Sequence, residues 1–133
     1  MNGLLIRNSE RMLTVSKFTL AEENKLHQKY KLIGCDCVDY VPVEIGGYNV
    51  DLWFDDKAQL KMKSPTFPLT LPNGEIFRII FGNIIVLACD DEGKSVGLTD
   101  DFIEYVQKTD YFEKKYVEAN KYMFSLVFKK WRK

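Results

Sequence analysis

Acidic side chains are concentrated in three short stretches of this 133-residue sequence. Asp55-Asp56 and Asp90-Asp91-Glu92 follow stretches with strand character, and the third pair lies just after Thr99, where a helix pattern begins. If the two strand ends were neighbours, their carboxylates would suit magnesium and phosphoryl chemistry. Turn residues and helix starts also prefer acidic side chains that face water, which favours a solvated acidic surface. The residues predicted to form a partner-binding acidic face are Asp55, Asp56, Asp90, Asp91, Glu92, Asp100 and Asp101.

Basic and aromatic residues are interspersed from Lys114 to the end of the sequence. Cations with stacking rings between them suit single-stranded nucleic acid or phosphates. The apolar residues of the same stretch need burial, so a solvated basic face on a packed helix is the favoured interpretation. The alternative nucleic-acid site comprises Lys114, Lys115, Lys121, Lys129, Lys130, Trp131 and Arg132.

The residue types give little support to catalysis. His27 is the only histidine, no serine lies in a G-x-S-x-G pattern, and no glycine-rich phosphate loop is present. Cys35, Cys37 and Cys89 would complete a zinc site with His27, but a spacing of two is not a C-x2-C knuckle. Small buried thiols in a reducing compartment are favoured instead. We therefore expect no catalytic residues, no cofactor and no bound metal, and a protein that is not an enzyme.

Charge is unevenly distributed, although nineteen basic and nineteen acidic residues cancel. Residues 1–35 carry a net charge of +3, residues 36–110 carry −8 and residues 111–133 carry +5. Either the basic ends pack on the acidic middle, or the molecule has an acidic binding face and a basic helix. No apolar stretch is long enough to span a bilayer and no signal peptide is visible. We expect a cytoplasmic protein of a bacterial host cell with no membrane partner.

The elements that must position these residues begin with an N-terminal hairpin, predicted over Gly3–Arg7 and Met12–Ser16. Thr19 and Glu22 form a capping-box pattern, which predicts a helix over residues 20–33. That helix would separate the hairpin from the strands that follow.

Alternating and apolar patterns predict the remaining strands. Cys35–Glu44 and Tyr48–Phe54 flank the Gly46-Gly47 turn. Ile84–Cys89 is apolar on both faces, which predicts the central strand, covered on both sides. The two prolines within Lys57–Pro68 argue against a regular central strand there.

Helical signals return after the strands. Thr99 is placed to cap a helix, with Leu98 and Ile103 at hydrophobic-staple positions, and Asp110 is placed to open another helix. A terminal strand is an alternative within Tyr122–Phe128 because nearly every residue there is apolar. The patterns predict an α+β fold: a mostly antiparallel sheet, one helix after an N-terminal hairpin, and a helical C-terminus. We expect residues 1–109 to form the core domain and residues 110–133 to pack on that core or on a second chain in a homodimer.

Several short motifs occur in an order that is similar to that of a known domain family. The motifs are Leu4–Arg7, Tyr48–Asp56, Gly82–Leu87, Asp91–Gly93 and Leu98-Thr99. Over roughly residues 3–106 the sequence resembles a small domain family of unknown function that is found mainly in bacteriophages and bacterial mobile elements. The resemblance implies a phage or mobile-element origin and implies no activity, because the family has no assigned catalytic residues.

The sequence is compatible with three hypotheses of function. The first is a small non-enzymatic accessory protein that binds a host protein, with inhibition of a host defence system as one form of that role. The acidic middle of the chain would then act as a decoy for a DNA-binding groove. The second is a nucleic-acid-binding accessory factor that uses the basic C-terminus. The third is a small-molecule or metal-binding protein that uses the acidic loops.

Overall fold

A computed structural model describes residues 1–9, 12–21, 23, 25–35, 37–58, 65–70, 76–122 and 126–127. Strands dominate the first two thirds of the chain and helices the last third, which confirms the predicted α+β fold. The elements in chain order are β1 (Asn2–Ser9), β2 (Met12–Thr19), α1 (Lys25–Ile33), β3 (Val38–Ile45), β4 (Tyr48–Asp55), β5 (Pro65–Thr70), β6 (Ile76–Phe81), β7 (Ile84–Cys89), β8 (Ser95–Val96), α2 (Asp100–Thr109), α3 (Tyr111–Tyr122) and β9 (Leu126–Val127).

The main sheet is antiparallel and has the order β2-β1-β7-β4-β3, with β8 paired to the end of β7. β7 is therefore the central strand, as its sequence predicts. Its residues from Ile84 to Leu87 are fully buried, because both faces of the strand are covered. Ile84 and Val86 belong to the larger core cluster, whereas Ile85 and Leu87 belong to the smaller one.

The larger core lies between the main sheet, the second sheet, α2 and α3. It joins Leu52 and Val86 of the main sheet to Phe67 of β5, Phe102 of α2 and Phe112 of α3. The smaller core lies on the opposite face of the main sheet, beneath α1. The two helices at the end of the chain therefore cover one face of the sheet, and α1 covers part of the other.

The second sheet has the order β6-β5-β9, so β5 is its middle strand. Pro65 and Pro68 do not keep β5 from the central position of this short sheet, but β5 is irregular, in keeping with the prediction that no regular central strand forms there. The ladder between β5 and β6 changes register between Pro65 and Phe67, and again between Leu69 and Thr70. A proline lacks a backbone N–H, and an interrupted ladder between short strands needs fewer donors than a regular one. β9 pairs with β5 in parallel, at Leu69–Leu126 and Thr70–Val127.

The first helix begins later than predicted, at Lys25 rather than at residue 20. Thr19 is the last residue of β2, and its hydroxyl donates a hydrogen bond to Oδ1 of Asn2 at 3.0 Å instead of capping a helix. The backbone N–H of Leu20 then donates to the carbonyl of Met1 at 2.8 Å. Pairing with β1 therefore extends the strand through the capping-box pattern; Glu22 lies outside the described residues.

Several local predictions are confirmed. Gly46 and Gly47 form the β3–β4 turn with φ angles of 57° and 85°, values that glycine adopts without strain. Thr99 caps α2 by accepting a hydrogen bond from the N–H of Phe102 at 3.2 Å. The predicted second helix is α3. Within the apolar stretch that follows it, Leu126–Val127 is a strand, and residues 123–125 and 128–133 lie outside the described part of the chain.

Candidate functional site

The turn between β7 and β8 carries the acidic stretch at residues 90–92. Oδ1 of Asp90 accepts hydrogen bonds from the N–H groups of Glu92 and Lys94, each at 2.9 Å. The N–H of Asp90 also donates to the carbonyl of Lys94 at 2.9 Å. Asp90 therefore shapes the turn, while Asp91 and Glu92 are exposed to solvent.

The start of α2 carries a second acidic pair, Asp100 and Asp101, and both side chains are exposed. The N–H of Leu98 donates to the carbonyl of Asn2 at 2.8 Å, which holds the start of α2 beside the start of β1. Because β1 and β7 are antiparallel, the start of β1 lies beside the end of β7. Five carboxylates therefore share one end of the main sheet, which we call the acidic end. Its members are Asp90, Asp91, Glu92, Asp100 and Asp101.

Asp55 and Asp56 lie at the opposite end of the main sheet. β4 runs antiparallel to β7, so the residue pair Phe54–Ile84 places the end of β4 beside the start of β7. The register therefore separates these two carboxylates from the acidic end, and the magnesium site that would require both groups does not assemble. Among the described residues, no group of three His, Cys, Asp or Glu side chains is placed to hold a metal ion.

Arg78 of β6 organises the end of the sheet that carries Asp55 and Asp56. Its Nη1 donates a hydrogen bond to Oδ2 of Asp39 at 3.2 Å, and its Nη2 lies 3.6 Å from Oδ1 of Asp56. The guanidinium carbon lies 4.6 Å from the centre of the Phe54 ring. Asp55 is almost fully buried beside this group, and its Oδ1 accepts a hydrogen bond from the N–H of Lys57 at 2.9 Å.

A cavity of about 280 Å³ opens next to Arg78. Carboxylate, guanidinium and aromatic groups all reach it, so it combines hydrogen-bond donors and acceptors with an apolar wall. Sequence reasoning missed Arg78 and Asp39 because they are 39 positions apart and lie in different sheets. The described residues that line the cavity are Phe54, Asp55, Asp56, Ala58, Arg78, Ile79 and Phe81.

A second buried charge lies on the face of the main sheet that α1 partly covers. The Nζ atom of Lys29 is 3.5 Å from the centre of the Trp53 ring, and only 6% of Lys29 is exposed. Tyr40 of β3 contacts the same indole, with ring centres 4.7 Å apart, and Asp51 is buried two residues before Trp53. The cation over the indole holds α1 against the sheet. The alternation of β4 predicts that Trp53 faces away from the larger core, but not that a lysine covers it.

The junction of α2 and α3 brings two carboxyl groups together. Burial raises the pKa of Glu113, and the nearby charge of Asp110 and the hydrogen bond that protonated Glu113 donates to the Asp110 carboxylate raise it further. Asp110 adopts a left-handed conformation with φ 48° and ψ 44°, which lets α3 start directly after α2. A cavity of about 180 Å³ between these residues and the N-terminal hairpin is also lined by Lys17 and Val15.

The cysteines do not form the alternative zinc site. Cys37 lies beside Asp56, whose N–H donates to the Cys37 carbonyl, whereas Cys89 ends β7 at the acidic end. Burial raises the pKa of the Cys89 thiol, and the charges of Asp90 and Asp91 raise it further, so the reactive thiolate is disfavoured. All three cysteines are free thiols, and His27 is exposed on α1.

Only part of the basic C-terminal set lies within the described residues. Lys114 is exposed on α3, and Nζ of Lys115 lies 5.8 Å from the centre of the Tyr111 ring. Lys121 is in the last turn of α3. The nucleic-acid function stays a prediction. The basic residues outside the described part of the chain are Lys129, Lys130 and Arg132, together with the aromatic Trp131.

The fold is a two-sheet α+β domain in which charged groups gather at both ends of the main sheet. A family model described as Domain of unknown function (DUF3846) matches residues 1–112, and the chain belongs to this family. The match confirms that the chain belongs to a family of unknown function and reaches the first turn of α3, and the phage or mobile-element origin stays a prediction. No curated protein and no solved structure matches the chain. None of the described helices has both the length and the apolar character needed to cross a membrane.

Proposed function

We propose that the chain is a small non-enzymatic accessory protein of a phage or mobile element, and that it binds a host protein inside the bacterial cell. The observation that carries this proposal is the acidic end. Its five carboxylates come from two separate elements, the β7–β8 turn and the first turn of α2, and four of them are exposed. A concentrated acidic surface attracts a basic partner and increases the rate of encounter.

Local structure supports binding because it holds these charges in place. Asp90 uses its carboxylate to hold the turn, and Thr99 caps α2, so both backbones are ordered before a partner arrives. A preorganised surface loses less conformational entropy on binding than a mobile one. Exposed carboxylates at one end of a sheet would mimic a row of phosphates. A DNA-binding groove of a host defence nuclease is therefore the kind of partner that we propose.

The test compares two variants that remove the same number of negative charges. Tagged full-length protein is immobilised, incubated with host lysate at low and high salt, and the captured proteins are identified by mass spectrometry. We expect the wild type and the control to retain the same host protein at low salt, and the acidic-end variant to lose it. The acidic-end variant carries Asp91→Asn, Glu92→Gln, Asp100→Asn and Asp101→Asn, and the control carries Glu23→Gln, Glu44→Gln, Asp56→Asn and Glu104→Gln.

Two results would contradict this function. One is that no host protein is retained at low salt. The other is that the acidic-end variant and the control retain the same partner equally well, because the carboxylates of the acidic end would then be irrelevant. For a captured nuclease, inhibition of its DNA cleavage by the wild type and not by the acidic-end variant is the expected functional readout.

The cavity beside Arg78 favours a second candidate function, the sequestration of a small molecule. The guanidinium lies against the cavity with Asp39 and Asp56 as its carboxylate neighbours, and its N–H groups are the donors that a ligand would use. Native mass spectrometry of protein purified from its host would show an added mass that disappears on denaturation. An unliganded mass in every preparation would contradict this candidate without affecting the host-protein proposal.

A further inference from the structure

The two outer strands of the main sheet differ in how they are protected. β3 carries Pro42 in its middle, and β9 lies close to it. Proline and covering segments are devices that prevent an edge strand from pairing with another chain. β2 contains no proline, and its neighbour α3 is a helix, which lies close to β2 without extending the sheet. All eight of its residues pair with β1 without a break in register, and among the described residues β2 has no other strand partner.

The direction of the backbone groups of β2 follows from its pairing. The N–H of Asn8 donates to Oδ1 of Asn83, on the β7 side of β1, at 3.2 Å. The backbone N–H and C=O groups of even-numbered β1 residues therefore point towards β7, and those of odd-numbered residues point towards β2, because the direction of these groups alternates along a strand. Arg7 is opposite Thr14 and Leu5 is opposite Ser16, so the backbone groups of Thr14 and Ser16 face β1. The backbone groups of the alternate residues of β2 therefore face away from the sheet. The β2 residues whose backbone N–H and C=O groups point away from β1 are Leu13, Val15 and Lys17.

We propose that this edge pairs with β2 of a second copy of the chain, antiparallel and about a two-fold axis at Val15. Val15 then lies opposite its own equivalent, Leu13 opposite Lys17 of the second copy, and Thr14 opposite Ser16. The outward N–H and C=O groups satisfy one another, and the two main sheets become one continuous sheet. A β-branched pair at the centre and a hydroxyl pair on the exposed face are favourable cross-strand neighbours.

The position of Lys17 selects this register. It is the only charged residue between Met12 and Thr19. A shift of the axis towards Lys17 would place the two ammonium groups on diagonal or opposite positions, where like charges repel. A shift towards Leu13 would shorten the overlap. With the axis at Val15, each Lys17 instead lays its aliphatic stem along the Leu13 position of the other copy.

Two variants at the same exposed positions test the pairing. Thr14→Lys with Ser16→Lys places like charges opposite one another across the proposed seam, whereas Thr14→Lys with Ser16→Glu places opposite charges there. Sedimentation equilibrium on full-length protein is expected to show a wild-type dimer. The dissociation constant should rise about tenfold or more in the Lys/Lys variant and should not rise in the Lys/Glu variant. Circular dichroism confirms that both variants remain folded, since Thr14 and Ser16 are exposed.

Two results would overturn the proposal. A wild-type protein that stays monomeric at concentrations approaching a millimolar lacks the interface. A dimer that the Lys/Lys and Lys/Glu variants weaken equally forms elsewhere, and the expected contact through the C-terminal segment would then take its place.

Discussion

The hydroxyl of Tyr116 donates a hydrogen bond to Oδ1 of Asn8 at 3.0 Å, joining residues 108 positions apart. Asn8 also donates its side-chain amide to Oγ1 of Thr66 at 3.1 Å. The hydroxyl of Thr66 in turn donates to the carbonyl of Gly82 at 2.7 Å. Residue 116 lies beyond the family match at 1–112. The part of α3 that follows the match therefore stabilises the contact between β1 and β5.

Removal of the Tyr116 hydroxyl should weaken this link measurably. We expect Tyr116→Phe to lower the free energy of unfolding by about 1 kcal/mol, the usual value of a partly buried hydrogen bond. Tyr116→Leu should cost more, because the ring of Tyr116 also packs edge-on against Phe67 with centres 6.5 Å apart. Urea denaturation measures both variants. Equal stability of Tyr116→Phe and wild type would show that the hydrogen bond contributes nothing in solution.

The two glycines of the β3–β4 turn should respond differently to alanine. Both have positive φ, so each substitution costs about 1 kcal/mol or more in backbone strain. A Cβ atom on Gly46 would also lie 2.7 Å from the ring of Tyr105, whereas one on Gly47 would meet no atom within 4 Å. We expect Gly46→Ala to lower the melting temperature more than Gly47→Ala. Adding Tyr105→Leu should narrow the difference, and an unchanged difference would reject the steric cause.

The central strand should not tolerate a charge. Val86 is fully buried between Leu4 of β1 and Leu52 of β4. Val86→Asp would bury a carboxylate among apolar side chains. We expect the free energy of unfolding to fall by about 4 kcal/mol, or the acid to become protonated. Val86→Ala is the size control and should cost clearly less. If Val86→Asp kept wild-type thermal stability, β7 would not be the central strand.

The pKa of Glu113 predicts a pH-dependent stability. Burial and Asp110 raise the folded-state pKa of Glu113 above its unfolded value, so between the two values the folded protein holds more protons than the unfolded chain does. Stability contributed by this residue therefore falls as pH rises between the two values. We expect Glu113→Gln to be more stable than wild type at pH 7, with the difference shrinking in acid.

Thermal melts from pH 3 to pH 7 test the Glu113 prediction. Glu104→Gln is the matched control, because Glu104 is an exposed residue of α2 that lies 3.9 Å from Lys108. A Glu113→Gln variant that is less stable than wild type at pH 7 would show that the charged carboxylate is favourable.

The C-terminal boundary is open to a direct test. Phe112 is fully buried, and its ring centre lies 6.0 Å from that of Phe67. A chain that ends at residue 109 loses this contact and that of Tyr116, so we expect a much lower melting temperature or aggregation. A chain that ends at residue 117 retains both contacts and serves as the control. A stable 1–109 fragment would show that the core domain needs nothing from α3.

Local patterns predicted much of the fold because their causes are local. An apolar run without polar interruption predicted the burial of Ile84–Leu87, and two adjacent glycines predicted the β3–β4 turn. Thr99 caps α2 by accepting a hydrogen bond from Phe102, only three positions later, so this contact could be predicted from the sequence. The capping-box pattern at Thr19 failed for the opposite reason: backbone pairing with Asn2, seventeen positions earlier, outweighed a local hydrogen bond.

The sequence by itself determined which stretches are apolar, which turns need glycine and where acidic side chains are concentrated. Only the tertiary structure decided which of those charges meet. Antiparallel pairing of β4 with β7 placed Asp55 and Asp90 at opposite ends of the sheet, although both follow strand-like stretches. Packing of the second sheet brought Arg78 to Asp39, and docking of α1 placed Lys29 on the indole of β4. The physical reason is that strand order and register are set by burial of the whole core, a sum over distant residues that no short motif contains.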